Sequence, residues 1–328
     1  MSLRFSILAT LLLTAFLLTI FSGSAEIAAV EIVKILLNPA PETMAAEWRI
    51  IWDFRLPRAL AATLAGAALS LSGLLLQSVF RNPLAGPYVL GISSGASLGI
   101  ALFLLAGLGV GSLGFLSAAA LGAMAVLAFI ALFSKFIRGN AGLLVLGLMA
   151  GYFADAVVSI LMHGTNSEAL RGFISWGFGS FGRLRWEELP YFVICVLLGL
   201  IISIFCIKYL NAIALGDEGA KSLGINVKQK RLLSLLAAAV LAAVATAFCG
   251  PIGFIGMATP HLARGFFNSD NQRILIPASL LMGALLALVA GLLSQGLWGM
   301  RPLPLNAVAS LMGAPVVIWV LLPRKNRN

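Results

Sequence analysis

Few side chains in this 328-residue sequence are equipped for chemistry, and their spacing excludes most of it. His163 and His261 are the only histidines, and neither has ligand-type neighbours, so no metal site is expected. Cys195, Cys206 and Cys249 lie in or at the ends of apolar runs, form no CxxC, and read as small core residues. Two GxGxxG matches occur, Gly109–Gly114 and Gly177–Gly182. Neither follows a strand or opens a βαβ unit, so nucleotide binding is rejected there. No GxxxxGK[ST] occurs, so this sequence cannot hydrolyse ATP through a P-loop. With no His/Asp/Glu cluster to do catalysis, neither an enzyme nor a cofactor is expected. Asp155 stands apart as an acid deep inside a long apolar run. Such a group costs at least ~2.5–3.5 kcal/mol in a bilayer, so it must face the bundle interior, a partner or water. Two roles stay open for it: lining a polar path, or a structural hydrogen bond.

The elements that carry these residues are apolar helices. The chain is 60% hydrophobic and 10% charged, against ~25% charged in a soluble domain. Apolar spans fall at about 3–22, 58–80, 88–108, 113–133, 142–163, 190–208, 231–249, 274–294 and 304–322. Residues 251–267 are apolar but broken by Pro251, Gly253, Gly256 and Pro260, which reads as a discontinuous helix. Residues 1–25 could be a signal peptide, but the apolar run from Phe5 to Phe21 is long for an h-region and reads as a retained first helix. The expectation is an all-α integral membrane protein of about ten transmembrane helices, in one polytopic domain over 1–328.

The formal charge of +10 does not point to nucleic acid, because the basic residues sit in short loops between apolar runs. Most of them fall on one side if the N-terminus is cytoplasmic, including Arg81, Lys135, Arg138, Lys208, Lys221, Lys228, Lys230, Arg231, Arg264 and Arg273. The other side holds the longer loops and most acids. Both termini are therefore placed in the cytoplasm. Spans 2 and 7 each lead into a Pro/Gly break, a faint duplication that fits a 5+5 inverted repeat.

Local pattern adds detail. Residues 69–99 start apolar, break at Arg81-Asn82-Pro83, and resume at Tyr88. Pro83 and Pro87 exclude one long helix, and a polar turn at this depth must be buried in protein or line a water-filled path. We place it near the cytoplasmic mouth of a permease. Gly91, Gly95 and Gly99, and likewise Gly147 and Gly151, recur every four residues. Both series read as close packing within the bundle, with a dimer contact as the second reading. Residues 215–226 form a cytoplasmic loop in which Asp217 and Glu218 begin a short helix and Gly224 ends it. It is either a solvated loop or a docking element for a soluble partner. Outside, Arg55, Arg58 and Arg301 either anchor helix ends or pair with carboxylates of an external partner.

Four blocks together resemble the FecCD-type permeases of ATP-binding cassette (ABC) importers for iron chelates, haem and vitamin B12. They are RLPR at 55–58, Gly73…Gln77…Arg81-Asn-Pro-Leu-Ala85…Pro87…Leu90-Gly91, LGDEGAKSLG at 215–224, and GPIGFIGMATPHLAR at 250–264. LPLNAVASLMGAPVVIWVLL at 303–322 is similar to the family's last helix. The resemblance implies a vitamin B12 permease-like subunit in the bacterial inner membrane, surrounded by lipid and paired with a second copy of itself. Two ABC ATPase subunits and a substrate-binding protein complete it, and a metal chelate moves by alternating access. It implies a cytoplasmic gate at Asn82, Leu84 and Asn140. It implies ATPase coupling through Leu215, Gly216, Asp217, Glu218, Ala220, Leu223 and Gly224, and binding-protein docking through Arg55 and Arg58. The sequence departs from the pattern at Ala290, Gly291 and Gln295, where the family often has Ala-Asp…Arg, and Arg301 lies in the same loop at a different place. Iron–siderophore is the first expected substrate, with haem or cobalamin next. The competing class is an ion-coupled secondary transporter using Asp155, which would also be built from inverted repeats.

Overall fold

The computed structural model describes residues 1–23, 25–37, 45–105, 107, 112–133, 136, 140–295 and 302–321. It is helical, with no strand among the described residues. The helices are α1 (Ser2–Phe21), α2 (Ala29–Leu37), α3 (Ala45–Arg49), α4 (Leu56–Phe80), α5 (Ile92–Leu105), α6 (Ser112–Phe133), α7 (Asn140–His163) and α8 (Ser167–Gly177). They continue with α9 (Leu189–Phe205), α10 (Ile207–Ala212), α11 (Gly216–Ser222), α12 (Val227–Cys249), α13 (Ile255–Phe267), α14 (Gln272–Ser294) and α15 (Leu305–Leu321). A π-helical turn, Ile50–Arg55, runs from α3 into α4.

Local chemistry sets the ends. α4 starts with Pro57, whose fixed φ suits a first turn. It stops at Arg81, which takes a left-handed φ of 47° and donates its N–H back to Ser78. Pro83 then prevents continuation. Asn226, Asn271 and Asn166 cap α12, α14 and α8 by accepting from Gln229, Arg273 and Ala169 N–H. α12 ends at Gly250, whose φ of 78° suits a residue without Cβ.

α4 and α12 are the inner helices. In each, 78% of the most apolar window is buried inside the chain, against 22% for α1 and α7 and 28% for α6. A helix buried all round must be apolar or self-satisfied all round. Ser72 meets that demand by donating to the Ala238 carbonyl on α12 at 2.7 Å. Glycine lets backbones touch at the crossings. A Cβ on Gly66 would overlap the Gly283 carbonyl of α14, and one on Gly73 would overlap the Gly256 carbonyl of α13. The expected small-residue series are used the same way, within the chain. Gly95 and Gly99 face α6 around Gly122, while Gly91 faces Gly147 and Gly151 of α7. The four-residue repeat therefore serves two neighbours rather than one face.

Among the described residues, six helices are long and apolar enough to cross a membrane. The bent pair Leu189–Phe205 and Ile207–Ser222, which turns by 56°, would make a seventh. α5 and the last helix are apolar but shorter. α13 has 13 residues, a rise of about 20 Å against a ~30 Å core. The expected ten crossings are thus not reached by length and composition among the described residues.

Candidate functional site

One end of the bundle gathers the turn after α4, the start of α14, the end of α13 and all of α11. The Asn82 N–H donates to Gln77 O, and Asn82 Oδ1 accepts from Leu84 N–H at 2.8 Å. Asn82 thereby closes a tight side-chain turn that holds Leu84 half-exposed. His261 Nε2 lies 2.7 Å from the Pro83 carbonyl and fastens the turn to α13. Gln77 donates to Met257 O at 2.9 Å and accepts from Arg264 at 2.7 Å. Gln272 donates to Ser78 Oγ at 3.0 Å, and its N–H donates to Asn211. The last turn of α4 and the turn that follows it are thus held by α13 and α14. Asn140 begins α7, and its side chain lies outside the described residues.

At this same end α11 is fixed by one ion pair. Arg231 of α12 donates through one nitrogen to both Asp217 oxygens at 2.8 Å. Ala220 is buried beneath the helix, whereas Leu215 and Leu223, at its two ends, are 72% and 62% exposed. The Glu218–Lys221 pair at 2.7 Å is fully on the surface and adds little. It holds the Lys221 amine above its ordinary range through the Glu218 carboxylate. Arg81 reaches back toward Gly216. Gly216 and Gly224 take φ of 91° and 73°, which fit the two bends that set α11 across the bundle end.

The opposite end carries Trp48, Trp52 and Trp186 in a row, with Trp186 Nε1 donating to Trp52 O at 2.7 Å. Such a row suits an aromatic belt at a membrane interface. The two RLPR arginines part company here. Arg58 is half-buried and lines a cavity of about 200 Å³ with Ser180, Gly182, Ser294 and Gln295. Arg55 is 3% exposed and donates to the carbonyls of Ile20, Phe21 and Ala25 at 2.9, 3.2 and 2.6 Å. The geometry gives Arg55 an internal task, closing the C-terminal end of α1, which fits the helix-anchoring reading of this residue rather than the docking one that the resemblance implies. Arg301 lies outside the described residues. Beside this end, burial draws the Arg183 guanidinium below its ordinary range as it donates to Ser175 at 2.9 Å.

Asp155 sits on α7 away from both ends, on a face that the rest of the chain leaves open. Ser94 of α5 donates to its Oδ2 at a long 3.4 Å. The structure thus brings Asn82, Leu84 and residues 215–224 to one end, puts Arg58 at the other, and leaves Asp155 between them. Sequence reasoning missed the partners that hold these groups: Arg231, Asn211 and Gln272, plus Asn306, whose Oδ1 accepts from Gly253 N–H at 2.9 Å. Arg264 and His261 were visible inside the GPIGFIGMATPHLAR block. No local signal marked the others, because their partners lie up to 194 residues away. No group of acids, histidines and cysteines capable of holding a metal occurs among the described residues.

A bundle with several helices long and apolar enough to cross a membrane defines an α-helical polytopic membrane protein. The comparisons with known proteins agree. The model of the FecCD transport family matches residues 11–323, so the chain belongs to that family. It is 36% identical over 312 residues to the hemin transport system permease protein HmuU of Yersinia pestis, covering 93% of this chain and 92% of that one. It is 34% identical over 308 residues to the vitamin B12 import system permease protein BtuC of Serratia proteamaculans, covering 93% and 91%. A solved inward-facing conformation of a metal-chelate type ABC transporter superposes with a TM-score of 0.84 at 29% identity, over 98% of this chain and 99% of that one. The chain is a transport permease of the ABC importer type, in which ATP is hydrolysed on a separate subunit. The ion-coupled alternative falls with that assignment.

Proposed function

We propose that this permease moves a metal chelate from a binding protein into the cytoplasm by alternating access, as half of a homodimer resting on two ATPase subunits. Iron–siderophore is the first candidate, with haem or cobalamin next, in keeping with the haem and vitamin B12 permeases among its relatives. The observation that carries the reading is α11. A seven-residue helix tied down by Asp217–Arg231 and presenting Leu215 and Leu223 to solvent has the form of a docking knob for a soluble partner. It stands at the same bundle end as Asn82 and Leu84, so displacement of α11 reaches the gate through Gly216 and Arg81. That end is then cytoplasmic, both termini are cytoplasmic, and Arg58 faces the binding protein.

The test is ATP hydrolysis by the purified complex with its co-expressed ATPase and binding protein. The binding protein is loaded in turn with ferric siderophore, haem or cobalamin. Stimulation by one of them supports the importer and names its cargo. Absence of any associated ATPase overturns the reading.

A further inference from the structure

α7 carries two strips about a third of a turn apart. Leu146, Met149, Ala150 and Phe153 line an apolar cleft shared with α5 and α6. Tyr152, Asp155 and Ser159 occupy the other strip, and all three are exposed. Tyr88, 52% exposed, lies within electrostatic reach of both Asp155 and Tyr152. An ionised carboxylate offers about four acceptor sites, and Asp155 has one long bond from Ser94. Among the described residues no Lys, Arg or His forms an ion pair with it. Acyl chains can solvate neither this carboxylate nor the phenols beside it, so the strip faces water or, in the homodimer proposed above, the second copy across the route.

We infer that Asp155 is a charge filter in the transport route, admitting chelates of zero or positive net charge and retarding polyanionic ones. The inference rests on the importer reading above, in which a second copy places a second Asp155 on the same route. Fixed charge in a narrow, low-dielectric passage acts on a charged solute far more strongly than the same charge in bulk water. A ferric trihydroxamate, neutral or singly positive, fits such a wall. A ferric tricatecholate of charge −3 does not. Tyr88 and Tyr152 add ring faces and hydroxyls that suit the amide and hydroxamate edges of the favoured class.

The test uses the whole complex in proteoliposomes, with binding protein saturated by each of two ferric chelates of similar size, one trihydroxamate and one tricatecholate. Uptake and ATP hydrolysis are measured for wild type and Asp155→Asn, which keeps the acceptor for Ser94. The expected result is a tricatecholate-to-trihydroxamate uptake ratio raised about tenfold in Asp155→Asn, with stimulated ATP hydrolysis unchanged. A ratio within twofold of wild type, with ATP hydrolysis still stimulated, overturns the filter and leaves the importer standing. If neither chelate stimulates ATP hydrolysis in wild type, the siderophore importer and the filter fall together. A second readout addresses the route itself. Asp155→Cys, with the native cysteines replaced, reacts with a membrane-impermeant thiol reagent if the strip meets water, and lack of reaction overturns the inference.

Discussion

Arg55 and Arg58 show what one side chain can and cannot reveal by its neighbours in sequence. Both belong to RLPR, and nothing local separates them. The end of α1 decides, because its open carbonyls need donors and Arg55 is placed to supply them. Arg55→Ala should lower stability by about 2 kcal/mol, the scale of hydrogen bonds from a charged donor, visible as a reduced Tm of the purified permease. Arg58→Glu should leave Tm unchanged and weaken binding-protein affinity at least about tenfold, read by titration. At α11, Leu215→Asp with Leu223→Asp should abolish stimulated ATP hydrolysis while the permease still folds. The two acids that open α11, Asp217 and Glu218, were legible in LGDEGAKSLG as a helix start. Their anchor was not, since Arg231 looks like any basic residue at a helix start until Asp217 is seen across from it.

Apolarity and length located most of the helices, because a bilayer demands both. α1, α4, α6, α7, α9, α12 and α14 fall where the apolar runs do. α2, α8, α10 and α11 went unseen as helices, or were seen only in outline, because short polar-faced helices leave no long hydrophobic run. Small residues were legible as packing surfaces, yet the sequence could not say which neighbour each glycine meets. The crossings make a sharp contrast testable. Gly73→Ala should cost about 1–3 kcal/mol, because its methyl meets the Gly256 backbone and no side chain can step aside. Gly265→Ala, with nothing within 4 Å of the new Cβ and a helical backbone, should be neutral or stabilising by up to ~1 kcal/mol. Thermal unfolding in detergent distinguishes the two.

For the molecule as a whole, apolar composition and the four sequence blocks made its class legible, and the family match bears that class out. The number of crossings was less legible, because interrupted segments such as α13 do not behave as uniform apolar spans. Sidedness has its own check. Cysteines placed at Glu218 and at Glu168, both on exposed positions, should be labelled from opposite sides of the membrane, Glu218→Cys from the cytoplasm. Labelling of both from one side would overturn the topology.

The glycine crossings carry a mechanical consequence. Where a carbonyl sits against a bare Cα, one helix cannot slide along another by a residue without driving a side chain into a backbone. Gly66 with Gly283, and Gly73 with Gly256, therefore key α4, α13 and α14 together like teeth in a spline. Sliding within the trio is blocked and rotation of the trio as a whole is not, so under the alternating-access proposal α4, α13 and α14 are expected to swing as one block rather than shear past one another.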